Sequence, residues 1–195
     1  KDKPPSKRFL WLMMWVYFCG GFGFVISATY IVAIVEGQAA LQGQGEVAFL
    51  ILGLCAAPAC IIWDRVSRKI GVLNALLFAY LIHAIGIVLP ALADGLWFAM
   101  LSACLYGFTF VGIVSIVLTM AGRFYPTKPA KLMGTLTMSY GVPQVIAPTI
   151  AGYLASMSGH YSASLYMASG FVLIGFFTIL AIKKLSSDVA LLELK

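Results

Sequence analysis

The sequence predicts an all-α integral membrane protein whose six transmembrane helices form a 3+3 inverted repeat. Three observations carry this expectation. Of the 195 residues, 62% are hydrophobic and only 10% are charged, against roughly 45–50% and about 25% in an ordinary soluble domain. That leaves too little polar surface to coat a water-facing globule, which excludes a soluble enzyme and a disordered chain. Uncharged stretches long enough to cross a bilayer recur along the chain, and every Lys and Arg falls at one set of their ends.

The runs 9–35, 47–63, 70–93 and 95–122 contain no Asp, Glu, Lys or Arg. A fifth uncharged run, 132–182, is too long for one crossing, and its polar middle at Ser158, Gly159 and His160 divides it into 132–156 and 162–182. A helical crossing takes about 17–25 predominantly apolar residues, so all six are read as spans. The second is near the lower limit, and the first and fourth are long enough to tilt. Strands of a barrel would alternate apolar and polar residues. Leu50-Ile51-Leu52 and Ile85-Gly86-Ile87-Val88-Leu89 do not alternate, so the spans are read as helices.

The 13 Lys and Arg are Lys1, Lys3, Lys7 and Arg8, then Arg65, Arg68 and Lys69, then Arg123, Lys128 and Lys131, then Lys183, Lys184 and Lys195. The alternate connections hold Glu36, Glu46, Asp94 and His160 without a cation. Positive-inside bias then predicts a multi-pass protein of the inner (plasma) membrane with both ends cytoplasmic and an even number of crossings. Residues 1–8 are a cytoplasmic linker, 9–182 the six-helix bundle and 183–195 a cytoplasmic tail. The basic, proline-containing lead Lys1-Asp2-Lys3-Pro4-Pro5 reads as a linker within a longer membrane protein. The net charge of +6 is too scattered for nucleic acid; the expected partner is the lipid bilayer. Cys19, Cys55, Cys60 and Cys104 all lie in apolar spans without a Cys-x-x-Cys pattern, which points to packing rather than disulfides or zinc. No metal or other cofactor is predicted.

The repeat rests on two matches. Gly21-Phe22-Gly23-Phe24-Val25 in the first span aligns with Gly107-Phe108-Thr109-Phe110-Val111 in the fourth at an offset of 86, and Ala57-Pro58 in the second aligns with Ala147-Pro148 in the fifth at an offset of 90. Three helices repeated once start on opposite sides of the membrane, which is the inverted arrangement of many transporters.

These features resemble a known pattern. Asp64-Arg65-Val66-Ser67-Arg68-Lys69 is similar to the cytoplasmic loop signature of the major facilitator superfamily, with Cys60 and Ser67 where the signature has glycine. A wider likeness to the bacterial YbfB/YjiJ-type subgroup runs from about Trp15 to Gly175. It is carried by Gly23-Phe24 with Ser27-Ala28-Thr29, by Ala57-Pro58 with Trp63, and by Ala84-Ile85-Gly86 with Leu89-Pro90. It continues through Thr109-Phe110-Val111-Gly112-Ile113-Val114 to Tyr140-Gly141, Gln144 and Pro148. The resemblance implies helices seven to twelve of a twelve-helix transporter, with an N-terminal six-helix half as partner and a small-molecule substrate. It also implies that Asp64, with Arg65 and Arg68, latches the two halves at a cytoplasmic gate, and that the first and fourth spans line the central cavity.

On those helices Ser27 and Tyr30, and Tyr106 and Thr109, are the candidate substrate-binding residues. Small hydroxyl side chains such as Ser27 and Thr109 suit a wet path or close helix packing equally; each tyrosine offers a ring and a hydroxyl. In the fifth span Tyr140 and Gln144 share a face, and Gln144 either meets substrate or hydrogen-bonds a neighbouring helix. Pro143 and Pro148 are expected to bend that span. His83 and Asn74 in the third span read as packed or interhelically bonded groups, and Glu36 as a gate or an interface residue. No Asp, Glu, Lys or Arg lies mid-span, and no Ser-His-Asp or metal-ligand pattern occurs, so an enzyme is not predicted. The expected function is the C-terminal half of a secondary active transporter that moves a small organic solute by alternating access. The alternative is a self-associating six-helix scaffold or small channel.

Overall fold

Ser6 starts the first helix: its hydroxyl accepts the Phe9 N–H at 3.2 Å, capping one of the donors that a helix start leaves free. The computed structural model describes residues 2–185; Lys1, Lys195 and most of the predicted 183–195 tail lie outside them. Helix α1 is Lys7–Glu36, α2 Gly45–Ala56, α3 Ala59–Ile70, α4 Val72–Leu92, α5 Leu96–Phe124, α6 Pro129–Ser158 and α7 Ser162–Leu185. A short 3₁₀ turn, Ala39–Leu41, bridges α1 and α2. There the Glu36 carboxylate accepts the N–H groups of Gly43 and Gly45, each at 2.8 Å, and ties the end of α1 to the start of α2.

Two expectations need correction. The second span is not one helix. It breaks at Ala57-Pro58, and α2 and α3 meet at a bend of 44°. Pro58 supplies no N–H to the preceding turn, and its ring crowds the carbonyl four residues back. The basic segment 64–69, expected as a loop, is the helical end of α3, and the turn into α4 is Gly71 alone, with φ +88°. That left-handed geometry suits glycine. By length and composition α1, α4, α5 and α7 can each cross a membrane, and α2 with α3 makes a fifth candidate. Helix α6 is long enough at 30 residues but less apolar than the others, because Thr137, Ser139, Gln144 and Pro148 dilute a run that merely lacks charge. It continues unbroken through Pro143 and Pro148.

The packing follows an exchange. Helix α1 packs on α6 and α7, whereas α5 packs on the α2–α3 pair and α4, and α4 packs on α7. Lipid tails are as apolar as leucine, so close backbone approach and interhelical hydrogen bonds hold such a bundle. A Cβ at Gly21 would overlap the Tyr140 carbonyl of α6, and one at Gly107 would overlap the Leu52 carbonyl of α2. The Tyr80 hydroxyl crosses from α4 to the Val16 carbonyl of α1 at 2.7 Å. Ser102 donates to the Gly86 carbonyl at 2.6 Å, and Ser169 to the Ala84 carbonyl at 3.0 Å.

These contacts set α1, α4 and α6 in one direction and α2–α3, α5 and α7 in the other. Phe9 meets Phe124 (ring centroids 5.4 Å apart) and Lys183 donates to Asn74, so the described cations gather at one end of the bundle. Glu36, Glu46, Asp94 and His160 lie at the other.

Candidate functional site

Phe24 on α1 is the hub of an aromatic cluster shared by three helices. Its ring centroid lies 5.1 Å from Phe110 and 6.3 Å from Tyr106 on α5, and 5.7 Å from Tyr140 on α6. Tyr17 meets Tyr140 at 4.4 Å with its ring tilted, and Tyr106 stacks on Phe110 at 5.5 Å. Phe24 and Phe110 occupy matching places in the repeated pentapeptides, 86 residues apart. Both are half-buried, so the cluster has an open edge. Gln144, one turn beyond Tyr140, is also half-buried; among the described residues its amide makes only a long 3.4 Å bond to the Tyr140 carbonyl of its own helix.

The six candidate binding residues do not line one cavity. Tyr106 and Tyr140 belong to the cluster, and the Tyr106 hydroxyl donates to the Phe24 carbonyl at 2.6 Å. Thr109 turns inward and is fully buried, with its hydroxyl 2.7 Å from Nδ1 of His83 on α4. His83 also stacks on Tyr106 at 5.2 Å, which joins α4 to α5 at mid-span. Ser27 lies with Ser102 and Tyr106 around a void of about 10 Å³ inside the bundle. Tyr30 lies about one turn beyond Ser27 towards the acidic end, where its hydroxyl donates to the Pro148 carbonyl at 2.9 Å and its ring meets Tyr161 at 4.8 Å.

The Asp64 carboxylate accepts Nε of Arg68 at 2.8 Å, one turn along the same helix, and Arg65 is exposed. Their position is set by Trp63, whose indole N–H donates to the Phe108 carbonyl at 2.8 Å and whose ring presses on Gly112. A cavity of about 490 Å³ opens at the other end of the bundle, with Gln38, Asp94, His160 and Tyr161 in its wall. None of the predicted binding residues lines it. The sequence places Asp94 and His160 in two outer connections that hold no cation, but nothing in their spacing marks a cavity.

The family model described as "Uncharacterised MFS-type transporter YbfB" matches residues 2–180. The chain belongs to this family. With its apolar helices, membership makes this major facilitator superfamily (MFS) chain a multi-pass membrane protein. Among solved structures it is similar to the peptide transporter POT in complex with sulfate and to a point mutant of that transporter, each at 17% identity and a TM-score of 0.81. In both cases the similarity covers 100% of this chain and 42% of the other, so the chain spans less than half the length of these relatives. At that identity the likeness is one of fold. No curated protein matches the chain significantly.

Proposed function

We propose that this MFS chain is the C-terminal six-helix half of a secondary active transporter, which moves a small organic solute by alternating access. The observation that carries the reading is the exchanged packing around the Phe24–Phe110 contact. Helix α1 lies on α6 of the other triplet and α5 on α2–α3 of the first, as two inverted triplets related by a pseudo-two-fold axis require. The matched residues Phe24 and Phe110 meet where the two lead helices approach. In this reading α6 is the fifth of six spans, the cationic end faces the cytoplasm across the inner membrane, and the partner is an N-terminal half of similar size.

The open edge of the cluster, with Phe24, Phe110, Tyr140 and the Gln144 amide, forms one wall of the solute site, and the other half supplies the opposite wall. Rings present apolar area without charge, and one amide fixes orientation. Tyr30, Ser27 and Thr109 then act by packing this wall. Asp64 with Arg68 forms the cytoplasmic latch.

The test is solute uptake by cells expressing the whole transporter, with the substrate first found by growth of a deletion strain on a solute panel. Gln144→Leu should raise KM several-fold, and Asp64→Asn should lower the rate, with membrane insertion and melting temperature unchanged. Both variants transporting normally would overturn the assignment of wall and latch.

A further inference from the structure

The α5–α6 turn carries a cavity of about 270 Å³ at the cationic end, lined by Asp2, Leu10, Tyr125, Lys128, Lys131, Leu132 and Thr135. We propose that this cavity holds the phosphate headgroup of an anionic phospholipid. Its rim and its floor differ in chemistry. Lys128 and Lys131 are exposed, and among the described residues no carboxylate lies within ion-pair distance of either. Asp2, the one carboxylate in the lining, is already engaged: its two oxygens accept the Thr127 N–H at 3.0 Å and the Thr127 hydroxyl at 2.5 Å. Lys3, Lys7, Arg8 and Arg123 lie on the same corner, where Lys3 N–H reaches the Phe124 carbonyl at 2.8 Å. The floor is apolar, with Leu132 buried and Leu10 half-buried.

A cationic rim over an apolar floor matches an amphiphile rather than a free anion. Its depth is marked independently. Trp11, the residue after Leu10, is 70% exposed, and Trp97 at the opposite end is 85% exposed, as in the aromatic belts that sit at headgroup level. Basic pockets between transmembrane helices at that level attract anionic lipid. The proposal rests on the membrane reading of the chain and not on transport, so the two fail separately.

The experiment uses the purified full-length chain in uncharged detergent, titrated with phosphatidylglycerol or phosphatidylcholine and followed by native mass spectrometry and melting temperature. Phosphatidylglycerol should be retained and raise the melting temperature, and phosphatidylcholine should not. Lys128→Gln with Lys131→Gln should weaken phosphatidylglycerol binding roughly tenfold or more. Lys128→Arg with Lys131→Arg, which keeps the charge, should retain it, as should Lys183→Gln with Lys184→Gln elsewhere on the same end. Equal binding of both lipids, or full binding by the double Gln variant, would overturn the site. Inorganic phosphate alone matching the stabilisation by phosphatidylglycerol would overturn the lipid assignment in favour of a free-anion site.

Discussion

Thr109 has one proton to give and three acceptors within reach: the carbonyls of Leu105 at 2.7 Å and Tyr106 at 3.1 Å, and Nδ1 of His83 at 2.7 Å. If the hydroxyl donates along its own helix, His83 must donate from Nδ1, and its buried Nε2 is left as an acceptor with no partner among the described residues. Thr109→Val then strands both ring nitrogens and should cost about 1–3 kcal/mol. A double-mutant cycle with His83→Leu, read by unfolding in detergent, should give losses that are less than additive; strict additivity would mean that the bond contributes nothing. Gly107 offers a steric counterpart. Gly107→Ala drives a methyl into the Leu52 carbonyl and should destabilise by about 1–3 kcal/mol through overpacking. Gly134→Ala, with open space around it, should be neutral or slightly stabilising by the same measurement. The sequence reads His83 as a packed or interhelically bonded group and names no partner, because a pairing 26 residues apart leaves no periodic trace. The neighbouring thiols of Cys55 and Cys104, 2.8 Å apart across α2 and α5, escaped for the same reason.

Helices were more legible than their interruptions. The apolar runs located α1, α4, α5 and α7 to within a few residues, because lipid imposes a minimum length on any crossing. Ala57-Pro58 reads as half of a repeat and as part of the family likeness, although proline within an apolar run is also a break signal. Helix α6 was identified by its lack of charge, a weaker criterion than apolarity, and its proline pair does not interrupt it. The aromatic cluster is half visible in the sequence: Tyr106 stands out for its ring and hydroxyl and Tyr140 for sharing a face with Gln144, whereas Phe24 and Phe110 read as markers of the repeat and the family likeness rather than as a wall.

The segment leading into α1 carries its own expectation. Hydrogen bonds from the Thr127 hydroxyl and then from its N–H hold the Asp2 carboxyl below the usual carboxylate range. A lowered pKa in the folded state means that this docking contributes fully above the ordinary carboxylate pKa and fades as pH falls through the folded-state value. Amide exchange at Thr127 should therefore quicken at acidic pH beyond the intrinsic trend. Asp2→Asn should exchange fast throughout.

At the scale of the whole molecule, the two triplets of the proposed repeat are interleaved rather than set side by side. Helix α1 draws its neighbours from α6 and α7, and α5 draws its own from α2, α3 and α4. Among the described residues the chain passes between the triplets only through the short connection at Ala93, Asp94 and Gly95. A chain severed there should reassemble when both pieces are coexpressed, and either piece alone should be degraded, since each would expose the grooves that the other fills. Pull-down of one tagged piece by the other is the measurement, and independent accumulation of either piece would contradict the interleaving. Covalent continuity at that joint is then dispensable, and what the cell must preserve is the order in which the two threes find one another in the bilayer.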